Sequence, residues 1–116
     1  MRLLFMIAGF ALAWMMFRLW MRRGRVRPRE ARELVRAGAL LVDVRSPQEF
    51  AQGHIEGAQN MPLQRLSQDL EASAARGRPI VVYCRSGMRS RLAAQRLRQA
   101  GFAQVHDLGP ASAWPG

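Results

Sequence analysis

The chain carries a single cysteine in 116 residues, contains no lysine, and has no acidic residue before position 30. One cysteine excludes an internal disulfide framework and any metal site built from several thiolates. The two histidines, His54 and His106, stand in no ligand spacing with Cys84. No metal and no cofactor is therefore expected. The missing lysine is compositional bias, since arginine supplies all the positive charge. The missing acids matter more. Residues 1–29 hold seven arginines against no acid, whereas residues 30–116 hold eleven arginines against eight acids, so most of the formal +10 lies beside the N-terminus. That distribution argues against a nucleic-acid partner, which would call for a basic, aromatic-bearing surface on the folded body.

What the N-terminus has is a hydrophobic run. Residues 3–17 are all apolar or glycine, Arg18 interrupts, and Leu19, Trp20 and Met21 continue it. As one helix, residues 3–21 would span about 28 Å, close to the hydrocarbon thickness of a bilayer. Arg18 lies near the end, where it can snorkel to the headgroups, and Trp20 suits the interface. Arg22, Arg23, Arg25, Arg27 and Arg29 follow. The expectation is a transmembrane anchor with basic flank over residues 1–24 and a folded domain over residues 25–116. The positive-inside rule puts that domain at the cytoplasmic face of the inner membrane. Two alternatives compete: a cleaved secretory signal with Ala11-Leu12-Ala13 as its small-residue site, and a helix lying in the membrane surface. The first would leave a greasy new N-terminus, and the second lacks a polar face.

The remaining 90 or so residues suffice for one small core, and 49% hydrophobic with 22% charged residues is a globular composition. Strand and helix signals alternate. Residues 25–27 suggest an edge strand. Pro28 opens a helix that closes at Gly38. Residues 39–44 form an apolar run broken only by Asp43, as in a strand buried on both faces. Ser46-Pro47-Gln48-Glu49 reads as a capping box. Residues 66–75 look helical, 80–84 form a second buried strand, 90–100 an amphipathic helix and 105–108 a last strand. This order predicts an α/β fold, a parallel sheet with helices on both faces, and ligands at the carboxyl ends of its strands.

Cys84 ends one of those strands. The segment Cys84-Arg85-Ser86-Gly87-Met88-Arg89-Ser90 joins it to a helix. A cysteine ahead of a helix N-terminus meets backbone N–H groups and the positive end of the dipole, which favour the thiolate. Arg85 and Arg89 add charge and can bind an anion through paired hydrogen bonds. Gly87 lets the loop curl its amides inward. The loop reads as an anion cradle centred on a nucleophilic sulfur, with residues 85–90 as its substrate-binding ring. The bland reading, an inert buried thiol among solvated arginines, leaves two arginines at this loop without a purpose.

Residues 27–116 resemble a single-domain rhodanese. The marks are Leu41-Val42-Asp43-Val44-Arg45 with Pro47-x-Glu49-Phe50, then Gly53-His54-Ile55-x-Gly57-Ala58-x-Asn60-x-Pro62, then Val81-Val82-Tyr83-Cys84-Arg85-Ser86-Gly87-x-Arg89-Ser90, then Ala100-Gly101-Phe102 and Leu108-Gly109. The resemblance implies a sulfurtransferase that moves sulfane sulfur through a persulfide on Cys84. A small donor such as thiosulfate would load it, and a thiol, cyanide or a protein persulfide partner would complete the exchange. Asp43 and Arg45 then read as an ion pair behind the loop, His54 as a structural histidine and His106 as a surface residue. Met88 would line the pocket mouth. Relatives acting on phosphate or arsenate carry a seven-residue loop, and the six residues from Cys84 to Arg89 make a tighter ring. The ending departs from the family pattern, with Pro110 where a second glycine is common. A membrane-tethered binding or sensing module without turnover is the alternative function.

Overall fold

The computed structural model describes residues 1–22, 24–73 and 77–116. After the N-terminal helix α1 (Arg2–Arg22), the chain runs α2 (Pro28–Arg36), β1 (Leu40–Asp43), α3 (Pro47–Gln52), β2 (Gln59–Asn60), α4 (Leu66–Ala72), β3 (Ile80–Cys84), α5 (Met88–Gln99) and β4 (Val105–Pro110). The four strands form one parallel sheet in the order β2-β1-β3-β4. Arg25 adds an isolated parallel bridge to Asp107, so the expected N-terminal edge strand shrinks to one pair. The expected helical end at residues 74 and 75, and Arg23 of the basic flank, lie outside the described residues.

Alternation along the strands divides the core into two layers. Leu40, Val42 and Val44 join Ile80, Val82 and Cys84 on one face, packed against Leu66 and Leu70 of α4 and Ala93, Ala94 and Leu97 of α5. Leu41, Val81 and Tyr83 face the other way, against Ala31 and Leu34 of α2 and the C-terminal Trp114. Helices thus cover both faces, and β1 and β3 are buried along their whole lengths, which is why they read as unbroken apolar runs.

Several boundaries differ from the sequence expectation, among them the end of α4 at Ala72, with Ser73 as its C-cap. The two-residue β2 follows Gly53 and Gly57, and it is too short to leave a periodic signal. Helix α5 begins two residues before Ser90, because Gly87 supplies the N-cap at φ 99°. Strand β4 runs on to Pro110, past a bulge: Asp107 pairs with Val82 but Gly109 pairs with Tyr83, leaving Leu108 between them. Pro110 pairs with Cys84, and Trp114 packs half-buried on the α2 face, so the last residues of β4 close the sheet beside the cysteine.

The N-terminal helix stands apart in character. Residues Arg2–Trp20 are long and apolar enough to cross a membrane, with mean hydropathy 1.8 and none of that stretch buried by the rest of the chain.

Candidate active site

The strand order reverses between β1 and β3: the chain steps from β1 outward to β2, then returns to the far side of β1. At such a switch point the loops leaving the two strands diverge, opening a crevice at their carboxyl ends. Asp43 and Cys84 are the last residues of those two strands.

Cys84 is 0% exposed and points into the α5 face of the core. The Gly87 amide donates to its Sγ at 2.9 Å. Ser90, the other buried polar group of the loop, places its hydroxyl 3.6 Å from the same sulfur, and that hydroxyl donates to the Gly87 carbonyl at 3.1 Å. The Ser86 hydroxyl accepts from the Met88 amide at 3.4 Å, shaping the first turn of α5. Arg85, Ser86 and Met88 are exposed at the rim, Met88 by 51%. Of the loop residues, Gly87 and Ser90 lie at the sulfur, while Arg85, Ser86 and Met88 stand at the rim.

Arg89 does something the sequence did not indicate. Its two terminal nitrogens donate to the two carboxylate oxygens of Glu49 at 2.6 and 2.8 Å, a bidentate pair. Glu49 is the third residue of α3, where its Oε1 also accepts from the Ser46 amide at 3.1 Å while the Ser46 hydroxyl accepts from the Glu49 amide at 3.2 Å. The capping box is present, and its carboxylate serves two masters. The Arg89 guanidinium, then the Ser46 amide, hold the Glu49 carboxyl well below the usual carboxylate range, and Glu49 in turn raises Arg89. The side chain read from sequence as an anion ligand is a strut from the cysteine loop to α3. In the sequence Glu49 reads as a cap, and nothing there shows that a cap carboxylate faces a residue forty positions away.

The loop after β1 is tied by ionic contacts. Asp43, 0% exposed, accepts from Arg45 through Nε at 3.0 Å, Nη2 at 2.7 Å and the backbone amide at 2.9 Å. Arg45 Nη2 also donates to the Gly53 carbonyl at 2.7 Å, and the Asp43 hydrogen bond raises the Arg45 pKa. Asn60 donates from Nδ2 to the carbonyls of Asp43 and Arg45 at 3.1 and 2.9 Å. Tyr83, adjacent to the cysteine, points to the opposite face, where its hydroxyl accepts from the Ile55 amide at 3.1 Å and burial pushes its pKa up to about 12. His54 stacks on Phe50 at 3.7 Å and its Nδ1 donates to the Phe50 carbonyl at 2.9 Å, which closes the end of α3. His106 is half-buried on β4.

A third element was not singled out from the sequence. Asp107 is buried on β4, and its Oδ1 accepts from the Gly109 amide at 2.8 Å. Burial raises its pKa, opposed by the Ser90 hydroxyl, the Gly109 amide and the charge of Arg25. A buried acid on a short strand leaves no pattern in sequence beyond its polarity.

Comparison with known proteins agrees with this architecture. Residues 27–114 match the model of the rhodanese-like domain. The Bacillus subtilis protein YqhL, itself uncharacterised, is 42% identical over 88 residues, covering 72% of this chain and 69% of YqhL. Thiosulfate sulfurtransferase GlpE of Pseudomonas aeruginosa is 40% identical over 84 residues, covering 72% of this chain and 76% of GlpE. Among solved structures, the human single-domain sulfurtransferase TSTD1 superposes with a TM-score of 0.64 at 31% identity, over 78% of this chain and 91% of that one. The parallel sheet, the switch-point loop and these relatives together make the chain a member of the rhodanese-like family.

Proposed function

We propose that this protein is a sulfurtransferase in which Cys84 carries sulfane sulfur as a persulfide. The observation that carries the reading is the 2.9 Å hydrogen bond from the Gly87 amide to Sγ at the end of a fully buried strand. A backbone donor held by a rigid loop stabilises negative charge on sulfur without reorganising during reaction. Helix α5, twelve residues long, begins at Met88 and adds the positive end of its dipole.

The first step is attack of the Cys84 thiolate on the outer sulfur of thiosulfate. The new S–S bond forms as the old one breaks, and sulfite departs with the electron pair, leaving Cys84–S–S⁻. The Gly87 amide then serves the persulfide, and the Ser90 hydroxyl turns its hydrogen from the Gly87 carbonyl toward sulfur. In the second step cyanide or a thiolate takes the outer sulfur, and the electron pair of the S–S bond returns to Sγ, restoring the Cys84 thiolate. Charge and atoms balance in each step, and no external oxidant is needed. Arg85 at the exposed rim attracts the anionic donor. The Glu49–Arg89 strut holds the loop closed around the sulfur. Asp43 and Arg45 support the loop after β1 and touch no substrate.

Residues 1–24 act as a membrane anchor, with the arginines of the juxtamembrane segment on the cytoplasmic side and residues 25–116 as the working domain; the apolar stretch Arg2–Trp20 supports this. Retention of the protein in membranes after alkaline carbonate extraction tests the anchor. Thiocyanate production from thiosulfate and cyanide tests the activity. Parallel lines in double-reciprocal plots are the expected ping-pong signature. Intersecting lines, or equal rates from Cys84→Ser, would overturn it.

A further inference from the structure

Arg25 lies outside the segment matched to the rhodanese-like domain, in the stretch that leads from α1 into the fold. Its backbone is nonetheless fixed to the sheet: Arg25 bridges Asp107, and the Val26 amide donates to the Asp107 carbonyl at 2.9 Å. Its side chain lies over two glycines. At Gly109 an added Cβ would fall 2.8 Å from Arg25 Nε and 3.0 Å from Cζ, and at Gly87 it would collide with a terminal nitrogen of the same guanidinium. Both glycines hold positive φ, 99° and 87°, which larger residues rarely adopt. Arg25 therefore occupies the space that side chains would take at these two positions. Gly87 supplies the amide that binds sulfur, and the Gly109 carbonyl lies 3.5 Å from the Ser90 hydroxyl.

The Arg25 Nε is buried and finds no hydrogen-bond partner among the described residues. A buried guanidinium nitrogen without a partner costs stability. The charge of Arg25 favours the ionised form of buried Asp107 on β4, yet its guanidinium extends beyond that strand to lie over Gly87 as well. It lies against Gly87, the residue whose amide donates to Sγ, and a negative charge on Cys84 is a second event that would reward a cation there.

We propose that Arg25 is a positioning residue: it presses the Gly87 segment into the conformation that directs its amide at Sγ, and its charge favours the anionic thiolate and persulfide. The segment that enters from α1 thereby becomes part of the sulfur cradle. This rests on the reading of Cys84 as the nucleophile.

The test uses the full chain with Arg25→Lys, Arg25→Met and, as a control, Arg27→Met, since Arg27 is exposed. Two readouts are taken: kcat and KM for sulfur transfer, and the pH dependence of Cys84 alkylation by iodoacetamide, followed by mass. Arg25→Met is expected to lower kcat about tenfold with a smaller change in KM, and to move the alkylation profile toward alkaline pH. Arg25→Lys restores the profile, because it keeps the charge, while recovering kcat only in part. Arg27→Met matches the wild type in both. A folded Arg25→Met with wild-type kcat and profile would overturn the inference. If Arg25→Met does not fold, Arg25→Lys decides: wild-type kcat in that variant overturns the positioning role, since lysine lacks the planar group that covers both glycines. A wild-type chain without turnover whose alkylation profile still shifts in Arg25→Met defeats the sulfurtransferase reading and leaves the inference standing.

Discussion

Two loops leave adjacent parallel strands at the same end of the sheet, and they are built on opposite plans. The loop after β1 is held by side chains: the Asp43–Arg45 pair, the Arg45 bond to the Gly53 carbonyl, and the Asn60 amide across two carbonyls. Its charges are satisfied internally, and nothing reactive is left over. In the loop after β3 the groups nearest the sulfur are a backbone amide and one hydroxyl, and the ionic contact is displaced to its end at Arg89. The first loop uses its polar groups on itself. The second turns a backbone amide and a hydroxyl toward the sulfur. The Glu49–Arg89 strut joins them, so the rigid loop serves as the abutment of the reactive one.

The largest effect should come from removing the sulfur at the centre of the second loop. Cys84→Ser is expected to lower sulfur transfer at least about 1000-fold, about 4 kcal/mol in the barrier, with the fold retained on circular dichroism. Next is the abutment itself. Arg45→Met leaves the buried Asp43 carboxylate without its ion-pair partner and should cost about 3 kcal/mol in urea unfolding. A loss under about 1 kcal/mol would mean that the β1 loop is not organised by that pair.

Cutting the strut sharpens the comparison. Glu49→Gln should lower kcat about tenfold by loosening the cysteine loop, while stability falls by less than about 1 kcal/mol because the pair is partly exposed. Equal loss of stability and activity would instead make Glu49 a fold residue. The carboxyl is held well below its ordinary range, so the strut is intact above that range. It is lost only as pH falls well beneath 4.5, the ordinary value.

The smallest effect concerns Tyr83, on the quiet face of β3. Tyr83→Phe removes the acceptor of the Ile55 amide and should cost about 1 kcal/mol at neutral pH. Burial raises the tyrosine pKa from 10.0 to about 12, so the neutral phenol's contribution is full below pH 10 and is lost as pH rises from there toward 12. Thermal melting across that range should fall more steeply for the wild type than for Tyr83→Phe.

The sequence carried the reactive loop better than its support. Buried parallel strands leave apolar runs, and a cysteine ahead of glycine and a helix marks a strand-to-helix loop, so β3, the start of α3 and the place of Cys84 at the end of its strand were legible. The capping box at Ser46 was legible too, because both partners lie within four residues. What was hidden depends on distance in sequence. Glu49 reaching Arg89, Arg25 covering Gly87 and Gly109, and Asp107 buried under Ser90 are contacts that only the folded sheet brings together. Arg89 shows the cost: its type and place suited an anion ligand, and the structure places a carboxylate on both of its terminal nitrogens. The bulge at Leu108 and the extension of β4 to Pro110 were likewise invisible, since a proline after a glycine reads as an ending.

Intact-mass spectrometry of the full chain before and after thiosulfate tests the central claim most directly. The account predicts a gain of one sulfur that cyanide removes and that Cys84→Ala never acquires. A folded protein that gains no sulfur from thiosulfate, or that gains it equally without Cys84, would contradict it.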